Sequence, residues 1–168
     1  MSQDILLLTA LIAVILMGSA MCSGIEAALL AVNPLRVHEL ARRKPKVLGA
    51  RRLEKLRHRI GRTLTVVTIA NNSFNIFGSL MVGSYASFIF QNRIGNVKPI
   101  FFIGLTILVL LLGEIVPKAL GTRLALQISL TSAPVLDFLS IVMRPLLIVL
   151  ERLLPIITAK SELTTDEE

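Results

Sequence analysis

The residues most able to do chemistry lie in one short stretch, Gly113 to Lys118, at the end of a long apolar run. Glu114 brings a carboxylate into that run, and such a group inside a membrane helix usually marks a functional site or a paired charge. Pro117 has no N–H to donate to the carbonyl of Gly113, so a helix is expected to break here and expose that oxygen. Carboxylate and carbonyl oxygens together suit a hard cation. The alternative is a helix end from which Lys118 reaches the membrane surface.

An earlier apolar run carries a second set of polar groups. Ser19, Ser23 and Glu26 recur at i, i+4 and i+7, so they fall on one face of a helix, and Gly24 beside them permits a close approach. Hydroxyl and carboxylate oxygens on one face could contribute to the same cation site. The alternative is that the serines bond to their own helix and Glu26 lies at the membrane interface.

A third polar group, Asn71, Asn72 and Asn75, interrupts another apolar run. Asn75 shares a helix face with each of the other two, and amides in hydrocarbon require hydrogen-bond partners. These amides could be ion ligands, or they could simply hold neighbouring helices together. The sequence leaves open which of Asn71 and Asn72 would be the ligand.

The three polar groups are predicted to lie at similar depths in the membrane. With a rise of about 1.5 Å per residue, Ser23, Asn72 and Glu114 all fall in the middle or the cytoplasmic half of a hydrocarbon core of about 30 Å. All the candidate ligand atoms are oxygens, because His38 and His58 lie in a basic loop. The pattern therefore favours Mg²⁺, Ca²⁺ or Na⁺ over softer metals.

The elements that must position these groups are membrane helices. The chain is 54% hydrophobic, with a mean hydropathy of +0.74, and apolar runs predict spans over residues 5–32, 64–90 and 99–120. Most of the 18 lysines and arginines lie between Arg36 and Arg62. This loop separates two predicted spans, so its charge indicates cytoplasmic retention and contact with lipid rather than nucleic-acid binding. The N-terminus is then outside and the C-terminus cytoplasmic.

Residues 124–155 are predicted to be cytoplasmic juxtamembrane amphipathic helices, broken at Pro134 and Pro145. A fourth span is the alternative. The predicted fold is thus an all-α integral membrane protein with three transmembrane helices per subunit. Residues 1–157 form its transmembrane transport domain, and residues 158–168 are read as the start of a linker to an absent regulatory domain.

A line of small residues, Ser79, Gly83 and Ser87, repeats every four positions and suits tight helix contact. The contact could be with a second subunit or with another helix of the same chain.

Three segments together resemble the transmembrane domain of the CorC/cyclin M family of magnesium transporters: Ser23 to Ala28, Asn71 to Asn75, and Gly113 to Lys118. The resemblance implies a homodimer in the cell membrane, Mg²⁺ transport commonly described as Na⁺-coupled export, and cytoplasmic CBS domains in longer chains. It also implies Mg²⁺ ligands at Ser23, at one asparagine of the Asn71/Asn72 pair, and at Gly113 with Glu114, with Ser19 and Asn75 as neighbours. The residues expected to support the site are Gly24, Glu26, Pro117 and Lys118. Ile25 departs from the family pattern, in which many relatives have a small polar residue.

The leading functional interpretation is a secondary-active Mg²⁺ transporter, since the chain contains no ATP-binding motif. A passive divalent-cation channel and a membrane anchor for a missing domain are the alternatives. An enzyme is not expected, because the spans contain no Ser/His or paired-aspartate arrangement.

Overall fold

The computed structural model describes residues 2–43, 49–89, 97–150 and 152, and these residues form helices without any strand. The helices are α1 (Ser2–Ala31), α2 (Pro34–Arg43), α3 (Ala50–His58), α4 (Ile60–Ile89), α5 (Val97–Leu108), a π-helical segment (Val109–Ile115), α6 (Val116–Arg123), α7 (Ala125–Val142) and a last helix over 144–150. The predicted polar tail, 158–168, lies outside the described residues.

The predicted all-α membrane fold with three candidate spans is confirmed. Three helices of the described chain are long and apolar enough to cross a membrane: Gln3–Ala31, Pro99–Arg123 and Ala125–Val142. The first and second of these match predicted spans. The third, α7, lies in the region that was predicted to be juxtamembrane. The predicted span over 64–90 is not among the three candidates. That region is the 30-residue helix α4, about 45 Å long at 1.5 Å per residue. Its asparagines, serines and threonines lower its hydropathy without shortening it.

Helix α1 is the centre of the structure and packs against α4, the π-helical segment, α6 and α7. Towards its N-terminus, Leu8 and Ile15 are buried with Val82 and Ala86 of α4. Towards its C-terminus, Leu29 and Val32 join a second core. That core also contains Val37, Leu53, Leu56, Val67, Ala133 and Leu136. Burial of this apolar surface joins α2, α3 and α7 to the C-terminal end of α1.

The basic loop contains two helices, α2 and α3. Arg57 of α3 donates from Nη1 to the carbonyl oxygens of Leu29 (2.9 Å) and Val32 (3.0 Å) at the end of α1. These are among the carbonyls that a helix C-terminus leaves without intrahelical donors, and a cation there also opposes the helix dipole. Arg57 is therefore a helix cap, a role that the loop's general positive charge did not predict.

The predicted break at Pro134 is wrong, because α7 continues through this proline. Pro134 cannot donate to the carbonyl of Leu130, and the backbone of Gly49 lies directly against that oxygen, where a Cβ would overlap it. Gly49 has a φ of 87°, which a glycine adopts without strain. Gly49 therefore packs closely where the proline leaves the carbonyl of Leu130 without its helical donor. The second predicted break is confirmed, since the helix ends at Val142, two residues before the Arg144–Pro145 pair.

Candidate ion-binding site

The side chain of Ser19 lies where α1, α4 and the π-helical segment meet. Its side chain is buried, with 1% exposed. Its Oγ lies 3.2 Å from Oδ1 of Asn71 and 3.3 Å from the carbonyl oxygen of Gly113. A serine hydroxyl has one proton, so these two acceptors share a single donor. Three oxygens from three helical segments therefore lie around one position inside the bundle.

Ser23 repeats the arrangement one helical turn further along α1. Its fully buried hydroxyl donates to the carbonyl oxygen of Glu114 at 3.3 Å. The two serines, four residues apart, thus face two successive carbonyls, those of Gly113 and Glu114. This is the shared face that the i, i+4 spacing predicts.

The two carbonyls belong to a π-helical segment, Val109–Ile115, rather than to the broken helix that was predicted. The N–H of Val116 bonds to the carbonyl of Leu111, five residues back instead of four. The extra residue in this turn lets the helix pass Pro117, which lies in the first turn of α6 where a missing N–H does little harm. The helix is widened rather than interrupted, as often occurs at functional sites.

The structure separates the three asparagines. Asn71 is buried, with 6% exposed, and belongs to the Ser19 group. Asn72 is exposed on α4. Asn75 is half-buried, and its Oδ1 is buried without a hydrogen-bond partner among the described residues. Of the pair that the sequence left open, Asn71 is therefore the residue beside Ser19 and Gly113.

The carboxylate of Glu114 pairs with Lys118. Oε1 and Nζ are 2.8 Å apart, and the two side chains are 44% and 43% exposed. The structure therefore places the backbone oxygen of Glu114 against Ser23 while its carboxylate is held by a lysine one turn later. Lys118 was predicted only to support the site, and this ion pair was not predicted, although the i, i+4 spacing of glutamate and lysine indicates it.

Glu26 lies outside this group of oxygens. Its Oε1 accepts a hydrogen bond of 2.9 Å from Oγ1 of Thr68 on α4. Thr68 is one of several threonines in its helix, and nothing in its spacing distinguishes it in the sequence. Glu26 thus links α1 to α4 beside the site.

Gly24 allows α1 and α6 to cross at close range. A Cβ on Gly24 would lie 3.3 Å from the carbonyl oxygen of Pro117, and one on Gly121 would overlap the carbonyl oxygen of Gly24 itself. Gly121 is buried in this crossing. The predicted supporting residues Gly24 and Pro117 therefore fix the spacing between α1 and the segment that carries Gly113 and Glu114. Gly121, a single glycine in a polar stretch, was missed.

The oxygens around Ser19 and Ser23 are mostly neutral. Across the described ranges, no three His, Cys, Asp or Glu side chains gather as a metal site. A neighbouring cavity of about 460 Å³ between α1, α6 and α7 is lined mainly by apolar groups such as Met17, Met21 and Leu120, so it offers little to a cation. The chemistry available is hydroxyl, amide and carbonyl oxygens close to one carboxylate.

Residues 10–168 match the family described as the cyclin M transmembrane N-terminal domain. The chain belongs to this family. The match covers nearly the whole chain and confirms the resemblance found in the three polar segments. Membership and the apolar helices together indicate a multi-pass membrane protein.

Two curated relatives are similar over most of this chain. The UPF0053 protein sll1254 of Synechocystis is 36% identical over 148 residues, which are 87% of this chain and 41% of that protein. The UPF0053 inner membrane protein YfjD of Escherichia coli is 27% identical over 149 residues, which are 88% of this chain and 33% of that protein. The chain therefore spans less than half the length of these relatives.

Proposed function

We propose that this chain transports Mg²⁺ through the site between α1, α4 and the π-helical segment. The single observation that carries the proposal is the convergence of five residues that supply oxygens. These are Ser19, Ser23, Asn71, Gly113 and Glu114. Each lies in or beside an apolar helix, where polar atoms are costly unless they have a partner or a task. Asn75, whose buried Oδ1 has no described partner, is available to an ion or its water one turn away.

The ligand set suits a partly hydrated Mg²⁺. This ion prefers oxygens, gives up water reluctantly and is commonly held by only one or two carboxylates. One glutamate and several neutral oxygens meet that description better than the six to eight ligands that Ca²⁺ takes. The proposed mechanism is alternating access, with the π-helical segment as the element that moves. The proposed energy source is a Na⁺ gradient.

Flux measurements test the proposal directly. The chain is reconstituted in proteoliposomes with a fluorescent Mg²⁺ indicator, and a Na⁺ gradient is imposed in each direction in turn. Na⁺-coupled exchange requires Mg²⁺ to move in the direction opposite to Na⁺. The direction of Mg²⁺ flux should reverse when the Na⁺ gradient is reversed. Liposomes that contain Asn71→Ala provide the matched control for leakage, since they keep the protein but lose one proposed ligand.

Two rival functions give different results in the same experiment. A passive channel would carry Mg²⁺ down its own gradient without any Na⁺ on the opposite side. A membrane anchor would neither carry Mg²⁺ nor bind it in calorimetry. Either result would replace the transport mechanism proposed here.

The proposal includes a homodimer in the bilayer, with cytoplasmic CBS domains as partners in longer chains. Ser79 and Ser87 are exposed on α4, while a Cβ on Gly83 would meet only Phe102, at 3.9 Å. The small-residue line therefore retains an uncovered surface for a second subunit. The mass of the purified protein in detergent tests this, and a monomer would contradict it.

A further inference from the structure

The Glu114–Lys118 ion pair places a cation of the chain itself on the one carboxylate of the proposed site. Nζ of Lys118 lies 2.8 Å from Oε1 of Glu114, a distance typical of a charge-assisted hydrogen bond. Glu114 is the penultimate residue of the π-helical segment and Lys118 lies in α6, so the pair spans the junction of these two elements. Any divalent ion that uses this carboxylate meets an ammonium group already bound to it.

The other proposed ligands are also held by donors of the chain, but those donors differ in kind. The hydroxyls of Ser19 and Ser23 occupy the oxygens of Asn71, Gly113 and Glu114. A hydroxyl can rotate and turn its own lone pairs towards a cation, so a serine can change from donor to ligand. An ammonium group has three donors and no acceptor. Lys118 therefore cannot become a ligand, and its positive charge opposes any cation that binds the same carboxylate.

We propose that Lys118 is a tethered competitor of the transported ion. With the site empty, it neutralises Glu114, which would otherwise be a partly buried carboxylate without a partner. When Mg²⁺ binds, the lysine withdraws on its flexible four-carbon stem, which can carry the charge towards water. When the ion leaves, the pair forms again and offsets the loss of the ion. Lys118 thus lowers the affinity of the site and favours release. This inference rests on the proposed function.

Two substitutions separate competition from simple support of the helix. Lys118→Met removes the ammonium and keeps a long flexible stem, whereas Lys118→Arg keeps a cation. Calorimetric titration of purified protein with Mg²⁺ at fixed ionic strength should give Lys118→Met a dissociation constant about tenfold lower than the parent, within the usual range of coupling between two bound groups. Lys118→Arg should stay near the parent. Equal or weaker binding by Lys118→Met would overturn the inference, because Lys118 would then only orient Glu114.

A second measurement uses the parent protein and does not depend on a variant that folds. A water-soluble acylating reagent is applied with and without Mg²⁺, and modification of Lys118 is quantified by mass spectrometry, with Lys55 of α3 as internal reference. Displacement predicts faster modification of Lys118 when Mg²⁺ is present and no change at Lys55. An unchanged rate at Lys118 while calorimetry reports Mg²⁺ binding would overturn this inference alone. A parent that binds no Mg²⁺ would overturn the proposed function as well.

Discussion

The hydroxyl oxygen of Ser19 lies 3.3 Å from the carbonyl oxygen of Gly113, 94 positions later in the chain. In an α-helix that carbonyl would accept the N–H of residue 117, which is a proline. The same hydroxyl also reaches Asn71. One buried proton donor therefore connects three helical segments at the backbone oxygen of Gly113.

Pro117→Ala tests whether the proline makes this oxygen available. The alanine would supply an N–H, and if the π-helical turn reverted to α-helical pairing, this N–H would compete with both Ser19 and an ion for the carbonyl of Gly113. Mg²⁺ affinity should fall about tenfold, in the range for groups that hydrogen-bond to a metal ligand without touching the metal. Calorimetry on Pro117→Ala and Glu114→Gln together makes the comparison. If only Glu114→Gln binds more weakly, the proline serves solely to shape the helix.

Asn71 and Asn72 form a natural matched pair for locating the site. Asn71 is buried against Ser19, whereas its neighbour Asn72 is exposed. Asn71→Ala should reduce Mg²⁺ affinity by about ten- to hundredfold, and Asn72→Ala should stay close to the parent. Calorimetry combined with proteoliposome flux measures both. The opposite order would place the ion on the other face of α4.

The close crossing of α1 and α6 should be intolerant of a single added methyl group. A Cβ at Gly121 would overlap the carbonyl oxygen of Gly24, so the helices would have to move apart. Gly121→Ala should destabilise the protein by about 1–3 kcal/mol, the usual cost of overpacking. Gly104→Ala is the control, since a Cβ there meets nothing within 4 Å. Thermal unfolding in detergent compares them, and equal melting temperatures would refute the close crossing.

Arg57 should stabilise the C-terminal end of α1. Arg57→Met keeps much of the apolar stem but removes the donor to Leu29 and Val32, and it should cost about 1–3 kcal/mol. Arg52 of the same helix is exposed, so Arg52→Met should leave stability nearly unchanged. Chemical unfolding followed by circular dichroism provides the comparison. Similar losses in both variants would indicate a general charge effect instead of a specific cap.

Helix α7 meets the length and hydropathy of a membrane span, yet it packs against the strongly basic helix α3. Because α3 cannot enter hydrocarbon at low cost, we expect α7 to lie along the cytoplasmic surface. Single cysteines at Arg123 and Arg144, which flank α7, are introduced after Cys22 is replaced by alanine. A membrane-impermeant maleimide should label both from the cytoplasmic side. If the cysteines at positions 123 and 144 were labelled from opposite sides, α7 would be a membrane span. As a control, Gln3→Cys should be labelled only from outside.

Much of this protein could be predicted from local patterns in its sequence. Hydropathy alone indicated the spans that became α1 and the helix around Glu114, because an apolar run of sufficient length has few other stable environments. The i, i+4 spacing placed Ser19 and Ser23 on one face, since helix geometry fixes which residues are neighbours along it. The three polar segments were enough for the family to be identified. The residue types also predicted that the candidate ligand atoms of the site are oxygens.

The tertiary structure decided the features that depend on contacts between distant residues. The sequence could not choose between Asn71 and Asn72, because both face a neighbouring helix in some rotation of α4, and only the packing of α4 on α1 fixes that rotation. It could not show that Pro134 is accommodated by Gly49, or that Pro117 is accommodated by a π-helical turn. A proline forbids one hydrogen bond, but whether the chain breaks, widens or packs against the exposed carbonyl depends on which segment lies beside it.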